Sequence, residues 1–187
     1  MGKDEDAQLD AVLIGGREQR PIVIVDHDSD WAEHYGILAD RIAAALGPAA
    51  LYIEHIGSTA VPGLPAKPII DILLIVNDVE NDGTYVPALE AAGFQLRVRE
   101  SGHRMLRTPG RDTHIHVLAP GAGEIDDYLD LRDWLRVSTE DRTLYASTKR
   151  QLADRQWSDA NYYAEAKTEV VQQILAHARV WRECKSP

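Results

Sequence analysis

The chain has 187 residues, within the reach of one domain, and its 44% hydrophobic and 27% charged content is that of an ordinary globular fold, not a disordered or fibrous one. A formal net charge of −10 excludes a general binder of nucleic-acid polymers, whose phosphates would be repelled, but leaves room for a mononucleotide at one locally basic site. No apolar run reaches the roughly 20 residues that cross a bilayer, the opening MGKDEDAQLDAV is too acidic for a secretory signal, and the lone Cys184 has no partner for a disulfide or a paired-cysteine zinc site. A reduced, cytoplasmic setting without a membrane partner is expected.

In chain order, residues 1–20 read as a loosely ordered lead-in, broken at Gly15-Gly16. PIVIV (21–25) predicts a short strand. A helix follows, capped by Ser29 or Asp30, with Trp31, Tyr35, Leu38, Ile42 and Leu46 at helical spacing, and Gly47-Pro48 ends it. LYIEHI (51–56) and IIDILLIV (69–76) predict strands. The second is apolar on both faces and belongs at the centre of a sheet covered on both sides. A helix near 82–92 closes at Gly93. FQLRVR (94–99), HRMLRT and THIHVL (113–118), separated by Ser101-Gly102 and Pro109-Gly110, predict an antiparallel meander. The remainder reads as helical: about 124–136, then from a capping box near Thr139 to about 155, then from Ser158 to about 182 with Tyr163, Ala166, Val170, Ile174 and Ala178 as its core stripe. The expected architecture is a single α/β (α+β) domain over 1–187 with a helical C-terminal part.

The chemistry concentrates between Glu54 and Val76, EHIGSTAVPGLPAKPIIDILLIV. Asp71 stands alone among Ile69, Ile70, Ile72, Leu73 and Leu74, and an ionised acid in such surroundings is costly unless hydrogen-bonded, paired or bound to a metal. Gly57 and Ser58, with Thr59 after them, form a turn whose N–H groups suit an anion. Lys67 is placed to reach a phosphate as a point charge. On the 113–118 strand His114 and His116 share one face and Ile115 and Val117 the other, so two imidazoles converge on whatever lies opposite. Arg97, Arg99, Arg104, Arg107 and Arg111 make a basic strip suited to phosphate or carboxylate oxygens. In LRDWLR, Arg132 and Arg136 share a helix face and suit either a site or an ion-pair network. There is no Walker loop, no GxGxxG and no GxSxG elbow.

EHIGSTAVPGLPAKPIIDI (54–72), with GHRML (102–106), HIHV (114–117), LRDWLR (131–136), LYASTKRQLA (144–153) and YYAEAK (162–167), resembles the GrpB-like family from about 22 to 180. That family is similar to a divergent branch of the polymerase-beta-type nucleotidyltransferases. The resemblance implies a nucleotidyltransferase-like mixed β-sheet flanked by helices. It implies Gly57 and Ser58, followed by Thr59, as the phosphate turn, beside which Lys67, Arg104 and Arg132 are expected, on their charge and position, as further substrate or phosphate contacts. It makes Asp71 the first catalytic acid, and its partners a nucleotide triphosphate with an unknown acceptor, either a small molecule or a protein. Two departures stand out: Leu73 occupies the second-acid position, and His116, or else His114, the third. Mg²⁺ or Mn²⁺ is the implied cofactor, with a transition metal held by Asp71, His114 and His116 as the alternative and His116 as a candidate general acid or base. Alternative readings are an inactive nucleotide-binding or folding-accessory domain, like those appended to dephospho-CoA kinase, and a single-metal His/Asp hydrolase.

Overall fold

The computed structural model describes residues 7, 10–19, 21–157 and 159–185. Contacts group the chain into two compact units. The first takes the N-terminal stretch up to Arg17 with His34–His55 and Asp71–Ala122; the second takes Glu18–Glu33, Ile56–Ile70 and the chain from Gly123 onward.

The first unit is built on a five-stranded mixed sheet in the order β1-β2-β5-β4-β3, with β1 at Tyr52–Ile56, β2 at Ile70–Ile75, β3 at Gln95–Glu100, β4 at His103–Arg107 and β5 at Thr113–Leu118. The predicted meander is β3-β4-β5, antiparallel throughout, with Met105 opposite His116 and Arg107 opposite His114. Period-two alternation sorts the side chains of β4 and β5. Arg104, Leu106, Thr113, Ile115 and Val117 are buried, whereas His103, Met105, Arg107, His114 and His116 lie on a half-exposed face. In β2, Ile72, Leu73 and Leu74 are fully enclosed and Asp71 is half-buried, so the strand is covered on both sides as its composition requires.

The predicted helix at 82–92 is a 3-10 turn at Asp82–Thr84 followed by α2, Val86–Ala91, which opens with Pro87 in its first turn. Arg104 is buried behind the β3-β4 turn, with its Nε on Asp82 at 2.8 Å and Nη2 on Glu80 at 2.7 Å. Part of the N-terminal lead-in is anchored. Leu13 bridges Val98, Ile14 N–H donates to Arg97 O at 2.8 Å, and the Arg97 guanidinium donates to the carbonyls of Ile14 and Gly16. Arg97 sits at a bulge in the β3-β4 register, one extra residue between the Leu96 and Val98 pairings.

The second unit is mainly helical. It contains the first turn of α1 (Asp30–Leu46), then α3 (Gly123–Val137), α4 (Thr139–Ala153), α5 (Ala160–Glu165) and α6 (Thr168–Lys185). Val61, Leu64, Leu135, Tyr145, Ala146, Val170 and Ile174 form its core cluster. Ser138 caps α4 by accepting from Asp141 N–H at 3.2 Å. Three expectations are corrected in this unit. PIVIV is not a strand: only Val25 pairs, in an isolated bridge to Ala66, because Pro21 lacks a donor and Val23, 55% exposed, contributes no buried face. Asp28, not Ser29 or Asp30, serves the start of α1, its Oδ1 accepting from Asp30 N–H at 3.0 Å. The last helix is two helices: the chain turns at Ala166-Lys167, which leaves Ala166 exposed while Tyr163, Val170, Ile174 and Ala178 stay buried. The expected start of that helix at Ser158 lies outside the described residues.

Two outcomes follow. Leu73→Ala opens a cavity in an enclosed strand and is expected to cost about 3 kcal/mol, whereas Ile75→Ala, at a partly exposed position, costs clearly less; chemical denaturation measures both. The Glu80 carboxyl is held below the ordinary glutamate range by the Gly102 N–H and then by Arg104. A depressed carboxyl contributes stability above its unfolded pKa and loses it as pH falls through the folded one. Glu80→Gln should therefore flatten the decline of the thermal midpoint below the ordinary glutamate pKa of about 4.3 and leave its shape at neutral pH unchanged.

Candidate functional site

In the sheet order, β5 lies directly beside β2, so the half-exposed face of β5 presents His114 and His116 to Asp71. His114 Nδ1 is 3.3 Å from Asp71 Oδ1, and His116 Nε2 is 3.9 Å from the same oxygen. The two imidazole rings stand nearly perpendicular, at 88°, with centroids 6.3 Å apart. One donor atom from each of the three residues lies within 4.8 Å of the others, close enough for the three to share one cation. All three side chains keep partial access to solvent, 29% for Asp71. Burial alone would push the Asp71 carboxyl up. The hydrogen-bonding and charge of the facing His114 and His116 imidazoles outweigh it and hold the group well below the usual carboxylate range. The isolated acid of β2 is thus satisfied across the sheet by β5.

A third imidazole continues the cluster. His103 Nε2 lies 3.2 Å from His116 Nδ1, the two rings stack at 15°, and His103 Nδ1 lies 2.6 Å from Glu100 Oε1. Sequence reasoning missed His103 and Glu100. The signal was available in strand register: once β4 is paired with β5, His103 falls on the His116 face as its diagonal neighbour.

Arg104, expected to contact phosphate, is engaged by Asp82 and Glu80, and Arg99 also pairs with Asp82, at 2.7 Å. The remaining expected residues belong to the second unit. Gly57 takes φ 71°, a conformation that favours glycine, and the following Ser58–Ala60 forms a 3-10 turn. Ser58 Oγ accepts from Lys149 Nζ at 2.9 Å, and the same buried ammonium donates to Pro65 O and lies 4.6 Å from the Tyr145 ring centroid. Thr59 Oγ1 donates to Ile69 O at 3.2 Å. Lys67 Nζ stands 5.3 Å from the Tyr163 ring centroid. Arg132 Nε donates to Asp133 Oδ1 at 2.7 Å. Arg136 ties the turn to α3, donating twice to Ala60 O at 2.9 and 3.1 Å.

The donor set, one carboxylate oxygen and two imidazole nitrogens, fits a divalent transition metal or Mn²⁺ better than Mg²⁺, which prefers oxygen ligands throughout.

Comparison with known proteins places the chain in a family. The family model described as GrpB protein matches residues 21–177. A UPF0157 protein of Streptomyces coelicolor is 49% identical over 89% of this chain and 89% of its own length. The crystal structure of conserved protein GrpB from Enterococcus faecalis aligns with a TM-score of 0.74 at 31% identity, covering 85% of this chain and 99% of that one. Cid1 in complex with its short product ApU aligns with a TM-score of 0.51 at 14% identity over 71% of this chain and 42% of its own, a likeness of fold alone. The chain therefore belongs to the GrpB family and has a nucleotidyltransferase-like fold.

Proposed function

We propose that this protein is a metal-dependent nucleotidyltransferase that uses a single divalent cation, held by Asp71, His114 and His116, to transfer a nucleotidyl group from a nucleotide triphosphate to a small-molecule or protein acceptor. The observation that carries the reading is the convergence of those three side chains on a sheet of this fold, where the resemblance expects the superfamily's acids. A divalent cation bound there would neutralise and align the triphosphate for in-line attack. Asp71 supplies the anionic oxygen, already ionised because its imidazole neighbours offset burial. His114 and His116 would supply nitrogen donors from a strand whose opposite face is locked in the core by Ile115 and Val117, so both rings project from a rigid support. In the transfer, an acceptor oxygen bonds to the α-phosphorus while the bond to the bridging oxygen of the β-phosphate breaks, and pyrophosphate leaves.

One observation favours a second reading. Leu73 is fully buried at the position of the second acid, so β2 offers one carboxylate where the superfamily pattern has two. A domain that binds a nucleotide without turning it over fits that feature.

Calorimetric titration of metal-free protein with Mn²⁺ or Zn²⁺ is expected to show one site that prefers either ion to Mg²⁺. Asp71→Asn, which keeps shape and removes the charge, should weaken it at least about tenfold. Equal binding by wild type and variant would remove Asp71 from the centre. In a screen of the common nucleotide triphosphates with Mn²⁺, pyrophosphate release should appear with wild type and vanish in Asp71→Asn. Nucleotide binding with no turnover across acceptors would instead establish the second reading.

A further inference from the structure

A cleft within the second unit shares no residue with the proposed cation site. One wall is a single face of α4, where Arg142, Ala146 and Arg150 follow at four-residue spacing with Thr143 and Ser147 beside them. The other wall carries Asp26 and His27, with Gly63 and Pro65. Their two segments are held together by the Val25–Ala66 bridge, whose N–H to O distances are 2.9 and 3.0 Å. The cleft measures about 440 Å³, within the range of small-molecule sites. Gly63 keeps its wall open, since a Cβ there would meet nothing within 4 Å.

The charges on these walls do not balance. Arg150 Nη2 pairs with Asp26 Oδ1 at 2.8 Å, but the two side chains are 55% and 89% exposed, and such a pair is weak. Arg142 is half-buried and has no carboxylate partner among the described residues. Its Nη1 donates to Leu135 O and Arg136 O, in the last turn of α3, at 3.0 and 3.2 Å, and its Nη2 donates to Thr139 Oγ1 at 3.2 Å. Those neutral acceptors fix the guanidinium without offsetting its charge, and they leave its Nε–H and one Nη2–H for a ligand. A fixed, uncompensated guanidinium on a cleft wall suits an oxyanion.

The neighbouring groups accept instead. Thr143 Oγ1 donates its proton to Thr139 O and Ser147 Oγ to Leu144 O, each at 2.8 Å, so both hydroxyls keep lone pairs for a ligand's donors. On the opposite wall His27 Nδ1 is enclosed without a hydrogen-bond partner among the described residues. Ala146 and Pro65 add a small apolar patch that suits a short carbon frame. We infer that this cleft binds a small hydroxylated organic anion, with Arg142 holding its phosphate or carboxylate group and Thr143 and Ser147 accepting from its hydroxyls. The site stands whether or not Asp71, His114 and His116 bind a metal.

The test is a titration of the metal-free, ¹⁵N-labelled full chain with ribose 5-phosphate, with gluconate and, as the uncharged control, with ribose. Amide spectra should show saturable shifts centred on Asp26, His27, Gly63 and residues 142–150 with at least one of the two anions and none with ribose. Tighter binding of ribose 5-phosphate marks phosphate as the preferred group, and tighter binding of gluconate marks carboxylate. Arg142→Gln is expected to weaken binding about tenfold or more, and Arg150→Gln only about two- to fivefold. Because Arg142 also holds the end of α3, Ser147→Glu serves as the second variant. It places a negative charge in the cleft at an exposed position, and binding should vanish with circular dichroism unchanged.

No saturable shift with either anion, shifts centred on other residues, or undiminished binding in Ser147→Glu overturns the inference. Equal shifts with ribose overturn it as well, since the cleft would then recognise hydroxyls without an anion. Anion binding should be the same in Asp71→Asn; its loss there would assign the anion to the proposed cation site and remove it from this cleft.

Discussion

Much of this molecule's chemistry turns on one carboxylate in an apolar strand. Ile72, Leu73 and Leu74 surround Asp71 in sequence and are fully enclosed, so β2 itself offers the acid little compensation. Desolvation works against the charge, and two imidazoles from the neighbouring strand overcome it. That compensation dictates topology. β5 must lie beside β2, and its alternation must turn Ile115 and Val117 inward so that His114 and His116 turn towards the acid. A one-residue slip would exchange the two sets and bury both histidines. Hydrophobic register and site geometry are one constraint.

The far side of β5 shows how that register is held. β4 pairs with it, and the turn into β4 is fastened from below by the buried Arg104, whose guanidinium spans Asp82 and Glu80 and also donates to the carbonyl of Glu100. Glu80 in turn accepts from Gly102 N–H at 2.6 Å, so the turn's backbone and the buried arginine are tied to the same carboxylate. The hairpin that carries Glu100 and His103 is thus fixed by charge-assisted bonds at its tip and by Leu106 at its centre. The arginines of this segment, which suggest a phosphate-binding strip as a bare sequence, work here largely on protein oxygens: Arg97 on the carbonyls of the N-terminal stretch, Arg99 and Arg104 on acids.

What could be read without coordinates follows from which features are local. The strand β2, the meander, the shared face of His114 and His116 and the oddity of Asp71 all appear in short periodic patterns, and the family resemblance supplied the fold around them. The missed features need a partner that only tertiary structure supplies. PIVIV has strand composition, but a strand exists only where another offers its hydrogen bonds, and just Val25 finds one. The break at Ala166-Lys167 carries no proline or glycine to announce it. His103 reads as an ordinary hairpin residue until the β4-β5 register places it against His116, and Glu100 gains meaning only after that. Arg104 reads as a ligand because sequence does not show that Glu80 and Asp82, more than twenty positions away, meet it first.

The leucine at the second-acid position is the remaining tension in the site, and burial resolves it. Asp71 survives because it keeps partial contact with solvent and two facing imidazoles. Leu73, two residues along the same strand, has no accessible surface at all. A carboxylate there would be stripped of water, at a cost of several kcal/mol unless fully paired, in the midst of Ile72 and Leu74. The enclosed end of β2 is therefore organised as core, and under the proposed function the remaining ligands of this sheet lie on β5, where His114 and His116 offer nitrogen in place of oxygen. In the proposed function such a donor set alters which cation is preferred as well as how many charges the site carries: one acid with two imidazoles would leave a divalent ion with net positive charge, and the proposed triphosphate would complete the neutralisation. On that view the cluster is a site rebuilt around a single acid, held by the same register that closes the core.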